Sequence, residues 1–142
     1  MGEVSDTLLV ALGAQVLGQV LKVIVHSARA GRLQLRYFVN AGGFPSAHSA
    51  FTTALLVSIA FKRGIASDLF AVAAVFSAIV LYDAYRLRGA VQRQAKMLNK
   101  LLRERGEPPV SELSGHSLPE IAVGVLLGAL VATVYAVGFG SV

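Results

Sequence analysis

Four apolar segments limit what this chain can fold into. They cover about residues 7–25, 47–63, 69–85 and 118–139, and each approaches the roughly 20 residues that a helix needs to cross a bilayer. Backbone N–H and C=O groups in lipid must bond to each other, so such segments become helices. With 55% hydrophobic residues, the chain is also more apolar than an ordinary soluble domain. We predict an all-α membrane protein, a compact bundle of about four transmembrane helices in a single domain over 1–142.

The positive charges are unevenly distributed along the chain. Of the 13 Lys and Arg residues, all but Lys22, Lys62 and Arg63 lie in two predicted loops, 26–46 and 86–117, and Lys22 lies just before the first of them. Because positively charged loops stay in the cytoplasm, we expect both loops on that side and both termini outside. The polar residues near helix ends would then meet at the cytoplasmic face: Gln19, Lys22, Ser46, His48, Asp83, His116 and Glu120.

The sequence GGFPSAHS at 42–49 stands where a polar loop becomes an apolar helix. Glycines let backbone N–H groups approach a ligand closely, and the start of a helix attracts anions. A histidine at this position can protonate a leaving group near neutral pH. We therefore predict a phosphate-binding loop at a membrane surface, with His48 as an acid beside it.

Residues 86–105 have the pattern of a helix that lies on a surface. Val91, Ala95, Leu98 and Leu102 are spaced by four, three and four residues and form one apolar stripe, while the opposite side is basic. This pattern is typical of a helix on an anionic membrane, although a solvated basic loop explains the charges equally well. The cations lie beside apolar spans without interleaved aromatic residues, so we expect no nucleic-acid partner.

The motif at 42–50 resembles the signature of the divergent type 2 phosphatidic acid phosphatase family, and the similarity extends over about 15–130. Two arginines that the family or its wider superfamily usually has are replaced here by Gly89 and Val110. Three further motifs match in order: QVLK at 19–22; YDA at 82–84 followed by Arg88, Gln94 and Asn99; and Glu112, Gly115, His116 and Glu120.

This resemblance implies hydrolysis of a phosphomonoester or diphosphate through a phosphohistidine, with no cofactor and no metal. His116 would attack phosphorus, Glu120 would orient its ring, and His48 would protonate the leaving group. The resemblance assigns phosphate binding to Lys22, Ser46, Arg88, Gly43 and Ala47. It assigns supporting roles to Asp83, Gln19, Asn99 and Gln94.

Several of these residues also fit ordinary structural roles. Ser117 and Glu120 have the spacing of a capping box, and Ser46 could simply cap the helix that follows it. Lys22 could extend to the membrane surface from the end of its helix. His26 matches no motif, and we expect it to be an interfacial residue.

Two other classes of function remain open from the sequence. His48, His116, Glu120 and Asp83 could together ligate zinc or manganese. Alternatively, the chain could be a non-enzymatic membrane protein that binds or translocates anionic lipid headgroups.

The expected partners are membrane lipids and an amphiphilic phosphorylated lipid substrate, such as phosphatidic acid or a prenyl (di)phosphate. A homodimer could form through the small residues Gly124, Gly128 and Ala132. Packing within one bundle explains the same spacing.

Overall fold

The computed structural model describes residues 5–39, 42–110, 112 and 116–139, and this part of the chain is all α-helical, as predicted. One short 3₁₀ turn, Leu35–Phe38, follows the first helix. The first helix is longer than predicted, because it continues past residue 25 and ends where Gly31 adopts a left-handed conformation (φ 62°). The five α-helices are α1 (Asp6–Ala30), α2 (Ala47–Arg63), α3 (Asp68–Tyr85), α4 (Leu87–Glu104) and α5 (Leu118–Gly138).

Three stretches of helix are long and apolar enough to cross a membrane: Asp6–Ala30, Asp68–Glu104 and Leu118–Gly138. The predicted fourth span, α2, has 17 residues. At 1.5 Å per residue it is about 26 Å long, slightly shorter than the hydrocarbon core of a bilayer. It also differs in composition, because its buried side chains include five hydroxyls: Ser49, Thr52, Thr53, Ser58 and the preceding Ser46.

The position of α2 explains this composition. It is the central helix and packs against α1, α3 and α5, so its hydroxyls face protein rather than lipid. Thr52 Oγ1, for example, donates to the carbonyl of His48 (3.2 Å), and Ser77 Oγ on α3 donates to the carbonyl of Thr52 (3.2 Å). Within the described helices α1 and α3 do not contact each other, and the residues of α2 from 47 to 60 are all buried or half-buried.

The bundle has small residues inside and large apolar residues outside, the arrangement of a protein surrounded by lipid. Ordinary soluble proteins bury their large apolar side chains instead. The buried positions of α1, α2 and α5 include Ala11, Ala14, Gly18, Ala50, Ala54, Gly124, Gly128 and Ala132. The exposed positions of α1, α3 and α5 include Leu9, Val16, Ile24, Val72, Phe76, Ile79, Leu126, Leu130 and Val134.

The small residues of α5 pack within the bundle. A Cβ at Gly128 would collide with the backbone carbonyl of Ala50 and would lie 3.0 Å from the Ala50 Cα. Gly124 and Ala132 are also buried. Packing inside one chain therefore accounts for this stripe. The homodimer stays a prediction, and the stripe gives it no support.

A helix, α4, is present where the surface helix was predicted, and its position on a membrane surface stays a prediction. It begins directly after α3, and among the described helices it packs against α3 alone. Of the predicted stripe, Ala95 is buried and Leu102 half-buried, whereas Val91 and Leu98 stay about 45% exposed. The apolar side of α4 is therefore only partly covered by protein.

Candidate functional site

The starts of α2 and α5 lie side by side at one end of the bundle. The backbone N–H of Ser46 donates to the carbonyl of Glu120 at 3.0 Å. Glycines permit this approach, because a Cβ at Gly124 would collide with the Ser46 carbonyl and a Cβ at Gly18 would lie 3.0 Å from the Ala47 Cα. The segments that contain the two predicted catalytic histidines are thus held together by backbone contacts.

His116 and Glu120 have the relationship that the resemblance implies. The His116 side chain has no exposed surface, and its Nδ1 lies 3.3 Å from Glu120 Oε2. The same carboxylate oxygen accepts the backbone N–H of Ser117 at 2.9 Å, as part of a capping box. One carboxylate oxygen therefore contacts both the helix start and the His116 ring, and a ring that donates its Nδ1–H to this carboxylate keeps its lone pair on Nε2.

Ser46 caps α2 as predicted. Its Oγ accepts the backbone N–H of Ser49 at 3.3 Å and the Ser49 hydroxyl at 2.8 Å. Because the oxygen accepts both bonds, its own proton is still available to a ligand. Ala47 is the first residue of α2, and because the first N–H groups of a helix have no partner within it, the Ala47 N–H could also donate to an anion.

Lys22 lies beneath the glycine loop, which is the name we give to residues 42–45. Its side chain is fully buried. Gly43 has a φ of 108° and fits closely over α1: a Cβ there would lie 3.2 Å from Lys22 Cδ and 2.9 Å from His26 Nε2. A glycine at this position is needed both for the backbone conformation and for the contact.

His26, which we expect to be an interfacial residue, also contacts the chain that follows α1. Its Nε2 accepts the backbone N–H of Phe44 at 3.4 Å, and its ring stacks on Tyr37 with centroids 3.8 Å apart. The available signal was its spacing, since His26 follows Lys22 by four residues and so lies on the same side of α1. No residue pattern in the glycine loop indicated which helix it would contact.

The predicted site residues on α3 and α4 do not share the backbone contacts that hold the starts of α2 and α5 together. Asp83 and Gln94 are exposed, and α4 packs only against α3 among the described helices. The Arg88 side chain lies outside the described part of the structure, as does Gly115. Gln19, on α1, has a buried Oε1 without a hydrogen-bond partner among the described residues.

Asn99 connects α4 to the segment before His116. Its amide forms a pair of hydrogen bonds with the backbone of Val110, donating to the carbonyl (2.9 Å) and accepting the N–H (2.8 Å). It also donates to Glu112 Oε1 at 2.7 Å. Position 110, where an arginine was expected from the resemblance, is therefore a backbone contact of Asn99.

Taken together, the end of the bundle contains one oriented histidine, one buried lysine, a hydroxyl and the N–H groups of a helix start. Groups of these chemical types are the ones that phosphoryl-transfer sites use to hold phosphoryl oxygens and to attack phosphorus. Among the described residues no group of three or more His, Asp and Glu side chains could hold a metal ion. Asp83, one ligand of the alternative metal site, lies exposed at the end of α3.

Comparisons with known proteins identify the family of this chain. The model of the Divergent PAP2 family matches residues 4–131. The chain is 33% identical to the Uncharacterized membrane protein YuiD of Bacillus subtilis (strain 168), over 93% of this chain and 94% of that protein. No solved structure matches the chain. With three helical stretches long and apolar enough to cross a membrane and with its membrane-protein relative, this chain is an integral membrane protein that belongs to the divergent PAP2 family.

Proposed function

We propose that this protein is a lipid phosphate phosphatase that hydrolyses a phosphomonoester or diphosphate through a phosphohistidine, without a metal. The observation that best supports this is the Ser46–Glu120 backbone bond, which joins the start of α2, bearing His48, to the start of α5, preceded by His116. A nucleophile and an acid on separate elements are useful only if those elements are fixed to each other.

In the proposed reaction the Nε2 lone pair of His116 attacks phosphorus as the bond to the leaving oxygen breaks. Throughout the reaction the Glu120 carboxylate accepts a hydrogen bond from Nδ1–H, and it stabilises the positive charge that the ring acquires. His48 gives a proton to the leaving oxygen and then removes one from the water that releases phosphate. The enzyme returns to its starting protonation state after each turnover.

Phosphate binding would rely on groups at the end of α1 and the start of α2. The Lys22 ammonium, the Ser46 hydroxyl proton and the Ala47 N–H match the equatorial oxygens of a phosphoryl group. Gly43 keeps the glycine loop close enough for its backbone to contribute. We propose that Arg88 adds a second cation, with Asp83, Gln94, Gln19 and Asn99 in supporting roles.

The substrate would be an amphiphile whose phosphate lies at the cytoplasmic surface. The distribution of basic residues supports this orientation, with both termini outside. The chain contains no cysteine, so a single introduced thiol can report its own side of the membrane. In intact cells Ile65→Cys should react with a membrane-impermeant maleimide, whereas Glu107→Cys should react only after permeabilisation. The reverse pattern would place the site outside the cell.

The proposed chemistry is tested by measuring phosphate release from purified protein in detergent. Phosphatidic acid, phosphatidylglycerol phosphate and a prenyl diphosphate are compared, with and without EDTA. His116→Ala should abolish release, and chelation should have no effect. Lys62→Ala, exposed at the opposite end of the bundle, should match wild type.

A substrate with a good leaving group separates the roles of the two histidines. With p-nitrophenyl phosphate, His48→Ala should still release a burst of nitrophenol, because that leaving group needs no proton. It should then accumulate phosphate on His116, because the water step still needs a base. Equal steady rates in His48→Ala, His116→Ala and wild type would contradict the phosphohistidine mechanism.

The second candidate is a non-enzymatic protein that binds or translocates anionic headgroups. It is favoured by the complete burial of the His116 side chain, which a substrate reaches only after neighbouring residues move. On this reading, wild-type protein binds phosphatidic acid vesicles but releases no phosphate from any of the substrates, even at high protein concentration.

A further inference from the structure

His26, the histidine that the proposed reaction does not use, contacts the chain after α1 at two points, one of them in the glycine loop. Tyr37 stacks on one side of the His26 ring, with an angle of 4° between the ring planes. Phe44 donates its backbone N–H to His26 Nε2. The chain between these contacts thus begins and ends on the same imidazole.

Other contacts place this segment over the end of α1. The backbone N–H of Gln34 donates to the Ser27 hydroxyl at 2.9 Å, which folds the chain back after Gly31. The Arg29 guanidinium lies 6.0 Å from the centre of the Phe44 ring. The Phe44–His26 hydrogen bond holds the part of the loop backbone that lies nearest Lys22. A Cβ at Gly43 would lie 2.9 Å from His26 Nε2 and 3.2 Å from Lys22 Cδ.

The hydrogen bond depends on the protonation state of His26. A neutral ring with its proton on Nδ1 can accept at Nε2, whereas imidazolium has N–H groups at both positions and accepts nothing. In the charged form an N–H would face the N–H of Phe44. The charged groups that face this ring are Lys22 and Arg29 on α1, Arg36 on the 3₁₀ turn and Glu120 on α5.

We propose that His26 is a positioning residue that holds the glycine loop over Lys22 through a hydrogen bond that only its neutral ring can accept. Loss of this bond frees the Gly43 backbone from Lys22 and weakens phosphate binding there. The effect on the loop is independent of catalysis, whereas the effect on phosphate rests on the proposed function.

Two substitutions at position 26 separate the acceptor from the ring. His26→Phe keeps a flat ring for Tyr37 and removes the acceptor. His26→Gln removes the ring but places an amide oxygen near the position of Nε2. Tyr37→Leu serves as the matched control, because it removes the stacking and leaves the acceptor in place.

The direct measurement is amide hydrogen exchange of residues 42–46 in the full chain, in detergent. One such bond contributes enough that its loss should speed exchange in His26→Phe by about five- to tenfold. His26→Gln should stay within about twofold of wild type. Unchanged exchange in His26→Phe would overturn the proposal. So would equally fast exchange in His26→Phe and Tyr37→Leu, because the stacked ring and not the acceptor would then hold the loop.

A pH series tests the requirement for a neutral ring. Dividing the amide exchange rate of wild type by that of His26→Gln at each pH cancels the intrinsic pH dependence of exchange. Lowering the pH from about 8 to about 5, where histidines titrate, should raise this ratio for residues 42–46 and leave it constant for the interior of α5. A flat ratio for residues 42–46 would refute the protonation requirement.

Binding of inorganic phosphate and hydrolysis of phosphatidic acid complete the test. Misplacement of a binding loop typically costs at least about tenfold in kcat/KM, and we expect this loss in His26→Phe with recovery in His26→Gln. If exchange behaves as expected while wild type neither binds phosphate nor hydrolyses lipid, the proposed function fails and the role of His26 in holding the loop stands. If wild type is active and His26→Phe retains full activity with fast exchange, the link from His26 to phosphate is wrong.

Discussion

Gly128→Ala tests the close approach of α5 to α2. The added Cβ would collide with the Ala50 carbonyl and would lie 3.0 Å from the Ala50 Cα. Both atoms belong to the backbone of α2, so no side chain can rotate away. Overpacking of this kind costs about 1–3 kcal/mol, and we place this case at the upper end, near 3 kcal/mol. Alanine regains up to about 1 kcal/mol of helix propensity, which leaves a net loss of about 2 kcal/mol.

The assay is thermal unfolding of purified protein in one detergent, followed by circular dichroism. A loss of about 2 kcal/mol should lower Tm by about 4–8 °C in a chain of this size. Gly13→Ala is the matched control, because it also lies within a helix and a Cβ there meets nothing within 4 Å. Its Tm should stay the same or rise. Equal Tm values for the two variants would show that α5 does not approach α2 as closely as described.

The same variants address the homodimer that the sequence left open. If Gly128 packs inside one chain, Gly128→Ala should lower stability without changing the molar mass measured by light scattering. A change in molar mass at unchanged stability would instead place this glycine between two copies.

Three further predictions follow from the hydrogen bonds and ion pairs. Glu120→Gln should lower phosphate release by about 100-fold or more, because an amide cannot stabilise the charged ring. Ser117→Ala should cost about 1 kcal/mol of stability and leave phosphate release unchanged. Equal phosphate release by the two variants would mean that Glu120 serves only as a helix cap. Asn99→Leu should speed amide exchange of Val110 by about tenfold through loss of its acceptor, and unchanged exchange would contradict the described pair. Lys62→Ala should lower stability by less than about 1 kcal/mol in thermal unfolding, because its 3.1 Å ion pair with Asp6 is exposed.

Local patterns in the sequence predicted the parts of this fold that depend on local physics. The lengths of the apolar segments predicted the membrane helices. The positions of Ser46 and Ser117 predicted two helix starts, because helix caps involve residues only three positions apart. The side-by-side placement of those starts was inferred from topology and is supported by the Ser46–Glu120 bond. The end of α1 was misplaced, since residues 26–30 have no apolar pattern of their own.

Long-range contacts could not be read from local patterns. His26 was passed over because its partners, Tyr37 and Phe44, are distant in sequence and reach it only after the chain folds back. Asn99 was singled out as part of a motif, but its partner Val110 is eleven positions away. The stripe at Gly124 and Gly128 was ambiguous because small residues permit close approach without specifying which helix approaches.

The gap between α1 and α3 makes the surrounding lipid relevant to the stability of α2. Phe51 and Leu55 are half-buried, and a cavity of about 360 Å³ lies between these helices near one end of the bundle. It is lined by the apolar Leu8, Leu55, Ile59 and Leu69 and by the polar Ser5, Thr7, Lys62 and Arg63. In a bilayer we expect lipid to cover this gap, with acyl chains on its apolar part and headgroups near Lys62 and Arg63. The measured stability of this chain should therefore differ between a short-chain detergent and a phospholipid bilayer.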